Sequence, residues 1–132
     1  MQEYIQVYEG SKTCGDREYP FALQIVSRDP KSWAVDCWIA SRYFGLRLAN
    51  GLMGGKEMLI ESEVEINGLK TPIILAGGRS GAGYRGGIFL NDKESTLLGV
   101  FSCNPIERER GSLLKKFIDE QGIQLPARSC LR

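Results

Sequence analysis

Apolar and polar residues alternate along much of the chain, which predicts an antiparallel β-sheet. From residue 58 to 66 apolar side chains alternate with leucine and glutamates, the signature of a strand with one buried face and one acidic face. Asn67 and Gly68 then give the strongest short hairpin signal, and 69–76 is predicted to return as the partner strand. Pro72 cannot donate a ladder hydrogen bond, which places this partner strand at an edge or beside a bulge.

Shorter alternating runs predict further strands at 4–8, 21–25, 88–90 and 97–103. The stretch 31–50 allows two interpretations. Asp29 followed by Pro30 is a good helix start and favours a helix as far as Arg42. Alternation at Trp33, Val35, Cys37 and Ile39, and again at 44–48, favours two strands, which is the interpretation we prefer.

The C-terminal part shows a helical pattern. Asn104 and Pro105 open it, and Gly122 is its expected end. Its apolar stripe comprises Ile106, Leu113, Leu114, Phe117 and Ile118, together with Arg110. The predicted fold is therefore α+β, one domain over 1–132, in which an antiparallel β meander is packed by a C-terminal amphipathic helix.

Composition and charge narrow the function. A chain of 132 residues with a net charge of +1 is an ordinary globular domain and carries no bulk charge for nucleic acid. The chain has no histidine, which removes the commonest general base and the imidazole metal ligand. We therefore predict a protein that is not an enzyme and that holds neither metal nor cofactor; the alternative is an enzyme that works with carboxylates.

The four cysteines are Cys14, Cys37, Cys103 and Cys130, and no two form a Cys-x-x-Cys pair. A dispersed, even set favours two disulfides over buried thiols, although the sequence does not choose among the three pairings. Disulfides predict a periplasmic or secreted protein whose signal peptide has been removed; the alternative is a cytoplasmic one. No apolar run reaches membrane-spanning length.

The segment 77–87 holds six of the 16 glycines of the chain. Such a segment has few side chains with which to pack, so we expect an exposed loop that presents Arg79, Ser80, Tyr84 and Arg85. Their hydroxyl and guanidinium donors suit carboxylates, phosphates or peptide carbonyls. The alternative is a glycine-rich hairpin without a partner.

Ser80-Gly81-Ala82-Gly83-Tyr84, followed by Gly87-Ile88 and Lys93, resembles the Ser-Gly-x-x-Tyr loop of the periplasmic and membrane-bound inhibitors of c-type lysozyme. The resemblance covers about 14 residues of the 132. It implies that Ser80 and Lys93 engage the catalytic carboxylates of a lysozyme, with Lys93 one residue short of the family's spacing. The chain departs from that family in lacking the Trp after the strand, in its greater length and in its predicted C-terminal helix.

Together these features predict a non-enzymatic binding protein whose glycine-rich loop docks into a protein partner, as an inhibitor or immunity protein of a cell-wall hydrolase would. The predicted contact residues are Arg79, Ser80, Tyr84, Arg85 and Lys93. The first alternative is a small-ligand-binding or structural α+β domain in which the loop is passive. The second is the histidine-free enzyme.

Overall fold

Eight antiparallel strands, each paired with the next along the chain, form the wall of a closed barrel in the computed structural model, which describes residues 6–29, 31–41, 45–54 and 56–106. The strands are β1 (Gln6–Cys14), β2 (Arg17–Arg28), β3 (Ala34–Ser41), β4 (Gly45–Gly54), β5 (Glu57–Ile66), β6 (Leu69–Ser80), β7 (Gly83–Leu90) and β8 (Leu97–Ile106). The barrel closes where β1 pairs with β8, from Val7 opposite Ile106 to Thr13 opposite Val100.

The predicted α+β class is wrong, because the described part of the chain is an all-β barrel without a helix. Asn104 and Pro105, which were expected to open a helix, belong to β8 and pair with Glu9 and Tyr8 of β1. The remainder of that predicted helix lies outside the described residues. The antiparallel sheet is confirmed.

Several local predictions are confirmed. Residues 34–41 form a strand and not a helix. Asn67 and Gly68 connect β5 to β6 with φ values of 53° and 79°, as a two-residue hairpin turn of this type requires.

Pro72 does not lie in an edge strand, since the closed barrel has none; it sits one residue beyond the last β6–β7 pair, Ile73 with Leu90, where its missing N–H breaks no ladder.

The alternation of side chains places one apolar set inside the barrel. Along β5 the apolar residues Met58, Ile60, Val64 and Ile66 point inward, whereas Leu59 and the glutamates point outward, as the sequence predicts. An eight-stranded barrel is just wide enough for side chains to fill its interior. The core accordingly packs residues from every strand, among them Phe21, Leu23, Ile39, Ile60, Leu75 and Ile88, none of which is measurably exposed.

The outer wall differs from one side to the other. On β1–β3 the outward residues Val7, Ala22 and Ala40 are at most 1% exposed, whereas the outward Leu48 of β4 and Leu52 are 58% and 50% exposed. Burial of outward residues on β1–β3 is therefore local, since Pro20 and Asp36 on the same outer face are exposed.

Two glycines allow the wall to bend sharply beside the Gly81–Ala82 turn. Gly77 of β6 pairs with Gly86 of β7. A Cβ on Gly77 would lie 2.2 Å from the carbonyl oxygen of Arg85, and one on Gly86 would lie 2.5 Å from the Cα of Gly77. Only hydrogen fits at either position, so much of the glycine content of the segment 77–87 serves the curvature of the barrel.

Replacing Gly77 by Ala is expected to destabilise the protein by about 1–3 kcal/mol, because the added methyl overlaps the backbone of β7. The matched control is Gly78→Ala, since a Cβ there meets only the carbonyl oxygen of Lys56 at 3.0 Å. Urea unfolding monitored by circular dichroism gives both values. Equal losses for the two variants would contradict the close approach.

Lys12 is a cation buried inside the barrel near the β1–β2 turn, where it pairs with Tyr19 of β2 and with the core residue Phe101 of β8. Its side chain is 0% exposed, and its Nζ lies 5.7 Å from the centroid of the Tyr19 ring. Burial lowers the pKa of Lys12 to about 8, and the neighbouring Cys14 partly opposes this shift. The folded protein therefore releases the Lys12 proton at lower pH than the unfolded chain does.

The variant Lys12→Met is expected to be more stable than the parent protein at pH 7, by about 2 kcal/mol, because it buries no ammonium. Between pH 8 and about 10.4 the unfolded parent holds a proton that the folded state has lost, so parent stability rises and the advantage of the variant shrinks. The quantity to measure is the difference in unfolding free energy at each pH, in which contributions from the buried Cys37 and Cys103 cancel. A difference that does not vary with pH would refute the shift.

Candidate functional site

The glycine-rich segment is a hairpin and not the long exposed loop predicted from the sequence. β6 continues to Ser80 and β7 begins at Gly83, so only Gly81 and Ala82 form the turn. Gly81 has a φ of 60°, the positive value that a type II′ turn requires at its first central residue. The side chains of this hairpin are therefore sorted by strand alternation into an inner and an outer set.

One end of the barrel, which we call the upper end, carries a cavity of about 590 Å³. Here β2, β4 and β6 end and β3, β5 and β7 begin. We call the cavity the cup. Its lining residues come from six strands (β1, β2, β4, β6, β7 and β8), from the β2–β3 connection and from the β6–β7 turn: Gln6, Tyr8, Ile25, Arg28, Trp33, Met53, Arg79, Ala82, Tyr84 and Pro105.

The bottom of the cup is apolar and tightly packed. Ile25 and Met53 are 1% and 2% exposed, and the rings of Tyr8 and Tyr84 are also buried. The two tyrosine rings meet edge to face, with centroids 5.7 Å apart. All four residues belong to the core cluster, so the cup rests on the packed interior of the barrel.

A bulge turns Arg28 into the cup. In β2 the inward residues fall at odd numbers up to Ile25, but the register with β3 shifts between Ile25 and Ser27. Beyond that shift Arg28 pairs with the inward residue Val35. The extra residue reverses the alternation, which is a common use of β-bulges near functional sites.

Trp33 is held over the rim of the cup in a strained conformation. Its φ is 62°, an outlier for a bulky side chain, and its indole is 49% exposed. The ring lies over Gly54, where a Cβ would come within 2.3 Å of it. The Arg28 guanidinium stacks on the indole at 4.3 Å from the centroid. Strain that the surroundings maintain in this way is typical of binding sites.

Hydrogen bonds fix the connection that carries Trp33. Its N–H donates to the carbonyl of Asp29 at 2.9 Å, and the Met53 N–H donates to the Trp33 carbonyl at 3.0 Å. The Asp29 carboxylate accepts from the Lys31 N–H at 2.9 Å and from the Ser32 hydroxyl at 2.8 Å. These bonds, that of Lys31 first, lower the pKa of Asp29. The Asp29 carboxylate therefore stabilises the β2–β3 connection to which it belongs.

Arg79 and Tyr84 form the second cationic element of the rim. They pair across the β6–β7 hairpin. The Arg79 Nη1 donates to the Tyr84 hydroxyl oxygen at 3.1 Å, and the guanidinium lies 5.4 Å from the centroid of the same ring. The exposed Arg79 is thus anchored to a buried tyrosine.

Among the residues that the structure describes, the lining of the cup includes two arginines and no Asp or Glu. The chemistry that the geometry supports is recognition of negatively charged oxygens beside aromatic rings.

The five predicted contact residues do not all come together. Arg79 and Tyr84 line the cup, whereas Ser80 and Arg85 are absent from its lining. Arg85 is exposed and pairs with Ser102 of β8, on the outer side of the hairpin. Lys93 lies in the β7–β8 connection, at the opposite end of the barrel from Ser80. Ser80 and Lys93 therefore cannot share one small binding site in this fold.

Sequence reasoning missed Arg28, Tyr8 and Met53 as members of the site. Arg28 reaches the site because of a bulge in β2, and no residue type in the sequence indicates that bulge. The sequence did not assign Trp33 to this site, nor Gly54, which clears the space for its ring. Side chains that line the cup come from parts of the chain nearly a hundred residues apart, so no local motif identifies them.

Cys14, Cys37 and Cys103 are free thiols in this structure, and Cys130 lies outside the described residues. Burial raises the pKa of Cys37 far above its usual range and that of Cys103 to about 12. Neither is in the state of a catalytic nucleophile, since the thiolate is the reactive form. Whether the cysteines form the two predicted disulfides is tested by labelling below.

The described residues contain no group of three or more His, Cys, Asp or Glu side chains placed to hold a metal ion. Across the same residues, no helix has the length and apolarity needed to span a membrane.

Comparisons of the chain with protein-family models, with curated proteins and with solved structures found no match. The assignment of function therefore rests on the geometry of the cup.

Iodoacetamide is expected to label Cys14 in the native protein and to leave Cys37 and Cys103 unmodified, because these two are buried and their pKa is raised. Peptide mass spectrometry over a time course measures the three rates. The control is the same reaction in guanidinium chloride without reductant, where every free thiol reacts and any disulfide-bonded cysteine does not. Similar native rates at the three positions would contradict the burial.

Proposed function

We propose that this protein is a non-enzymatic binding protein that holds a small anionic ligand in the cup at the upper end of its barrel. The observation that carries the proposal is the placement of Arg79 at the rim of the cup, where its guanidinium is anchored to the buried Tyr84, with Arg28 stacked on Trp33 in the same lining. The volume of about 590 Å³ lies within the range of small-molecule sites.

The two arginines are placed for recognition. Each guanidinium is supported by an aromatic ring, Arg28 by Trp33 and Arg79 by Tyr84. A planar guanidinium offers several N–H donors in a fixed arrangement that matches carboxylate and phosphate oxygens. A hydrogen bond to a charged group contributes about 1.5–3 kcal/mol, so two such residues supply a useful share of a micromolar affinity.

The site is built on a rigid support. Arg28, Met53, Arg79 and Tyr84 all belong to strands of a closed barrel. Side chains on strands lose less freedom on binding than side chains on mobile loops, and this preorganisation favours affinity. The ionisable side chains of the lining are arginines and tyrosines, which favours binding over acid–base chemistry at neutral pH.

Replacing Arg79 by Met is expected to weaken binding of an anionic ligand in the cup at least tenfold, through loss of one charged donor. The matched control is Arg85→Met, which removes an exposed arginine of the same hairpin that does not line the cup. Thermal shift and calorimetry with a panel of acetate, citrate, benzoate, octanoate, inorganic phosphate and octyl phosphate measure the effect. If Arg85→Met weakens anion binding as much as Arg79→Met does, or if neither variant weakens it, the cup is excluded as the binding site.

The same two variants also test the protein partner that the sequence predicts. Arg79 and Arg85 are both exposed near the tip of the β6–β7 hairpin, so this tip is also a surface that a protein can contact. If the protein inhibits c-type lysozyme, and if both variants lose that inhibition while the anion panel shows no binding, the ligand is an acidic surface of a hydrolase. The exported location stays a prediction, which the denatured labelling above addresses.

A further inference from the structure

We infer that the Asn67–Gly68 turn is a site of spontaneous deamidation, which converts the Asn67 side-chain amide into a carboxylate, and that the fold protects Asn50–Gly51 from the same reaction. The two sites are chemically matched, since the sequence reads Asn-Gly-Leu at both. The turn lies where β5 ends and β6 begins, at the end of the barrel opposite the cup. Deamidation there does not depend on what the cup binds.

Deamidation begins when the backbone nitrogen of the glycine attacks the side-chain carbon Cγ of the asparagine. A new C–N bond forms, and the side-chain nitrogen leaves as ammonia with the proton that the glycine nitrogen gives up. The product is a five-membered succinimide ring. Water then adds to one of the two ring carbonyls and breaks its C–N bond, which gives aspartate or isoaspartate. The net change is the hydrolysis of one amide by water, without oxidation or reduction.

The turn leaves the Asn67–Gly68 peptide able to rotate into the geometry of attack. Both residues are exposed, with φ values of 53° and 79°. Among the backbone hydrogen bonds of the described turns and connections, none involves the Gly68 N–H or the Asn67 carbonyl. A Cβ added at Gly68 would meet no atom within 4 Å. Rotation of this peptide therefore breaks no backbone hydrogen bond, and the space beside Gly68 is open.

Asn50 also has an exposed side chain, but its backbone is held on both sides. Gly51 pairs with Val35 of β3 and with Ile60 of β5. A Cβ at Gly51 would lie 2.8 Å from the Ile60 Cα, so the backbone of β5 closes directly against this glycine. Rotation of the Asn50–Gly51 peptide would pull β4 away from its neighbours, and such local opening within a sheet is rare.

The products change the charge and the geometry of the hairpin. A carboxylate at position 67 lowers the formal net charge by one unit, from +1 to 0. The aspartate form keeps the hairpin, because Asp-Gly is also a preferred pair in this turn. In the isoaspartate form the main chain runs through the side-chain methylene, and the additional backbone atom disturbs the register of β5 with β6. We expect the isoaspartate form to unfold at a lower denaturant concentration than the aspartate form.

The test follows both asparagines in the purified protein, incubated at neutral and at mildly alkaline pH, by peptide mass spectrometry at successive times. We expect Asn67 to deamidate at least about tenfold faster than Asn50, because the Asn50–Gly51 peptide reacts only when β4 opens locally. The rate at Asn67 is expected to rise with pH, since the Gly68 nitrogen attacks after it has lost its proton.

The control is the same incubation in guanidinium chloride, which removes the fold and keeps both Asn-Gly-Leu sequences. Similar rates at the two asparagines are expected there, so that the native difference is due to structure. The variant Asn67→Asp has the charge of the product, and its elution on ion exchange is expected to match that of the aged protein. The inference is wrong if the two asparagines react equally in the native protein, if Asn50 reacts faster, or if Asn67 reacts only after denaturation.

Discussion

The pairing of β1 with β8 is the constraint on which the rest of the structure depends. It joins Val7 to Ile106, and the Gln6 side chain adds a hydrogen bond of 3.0 Å to the Ile106 carbonyl. Without this ladder both strands would be open edges, which tend to associate with other chains. With it the sheet has a closed interior, and the first and last strands bring Tyr8 and Pro105 to one cavity.

Closure also explains why the cup lies at an end of the barrel. Eight strands enclose a space that side chains fill, so a ligand site has no room in the middle. At the upper end Gly77 faces Gly86, and neither residue contributes a side chain that could fill the space. The space left there is shaped by arginines and aromatic rings.

Each cationic residue of the cup owes its position to a departure from regular strand geometry. Arg28 points inward because of the register shift after Ile25, and Trp33 supports it from a positive φ that the loop hydrogen bonds maintain. Arg79 precedes a turn in which Gly81 also has a positive φ. Natural proteins tolerate such local strain chiefly where it positions a functional group, which agrees with the cup being the site.

Local patterning was enough to predict the strands, the Asn67–Gly68 hairpin and the inward and outward faces of β5, since these depend on neighbours within a few residues. It was enough to identify Arg79 and Tyr84 as candidates. It was not enough to predict closure, because the β1–β8 pairing joins residues about a hundred positions apart. Only the tertiary structure decided that Ser80 and Lys93 lie at opposite ends and that Arg28, Trp33 and Tyr84 line one cavity, because register, bulges and barrel curvature are cooperative properties of all eight strands.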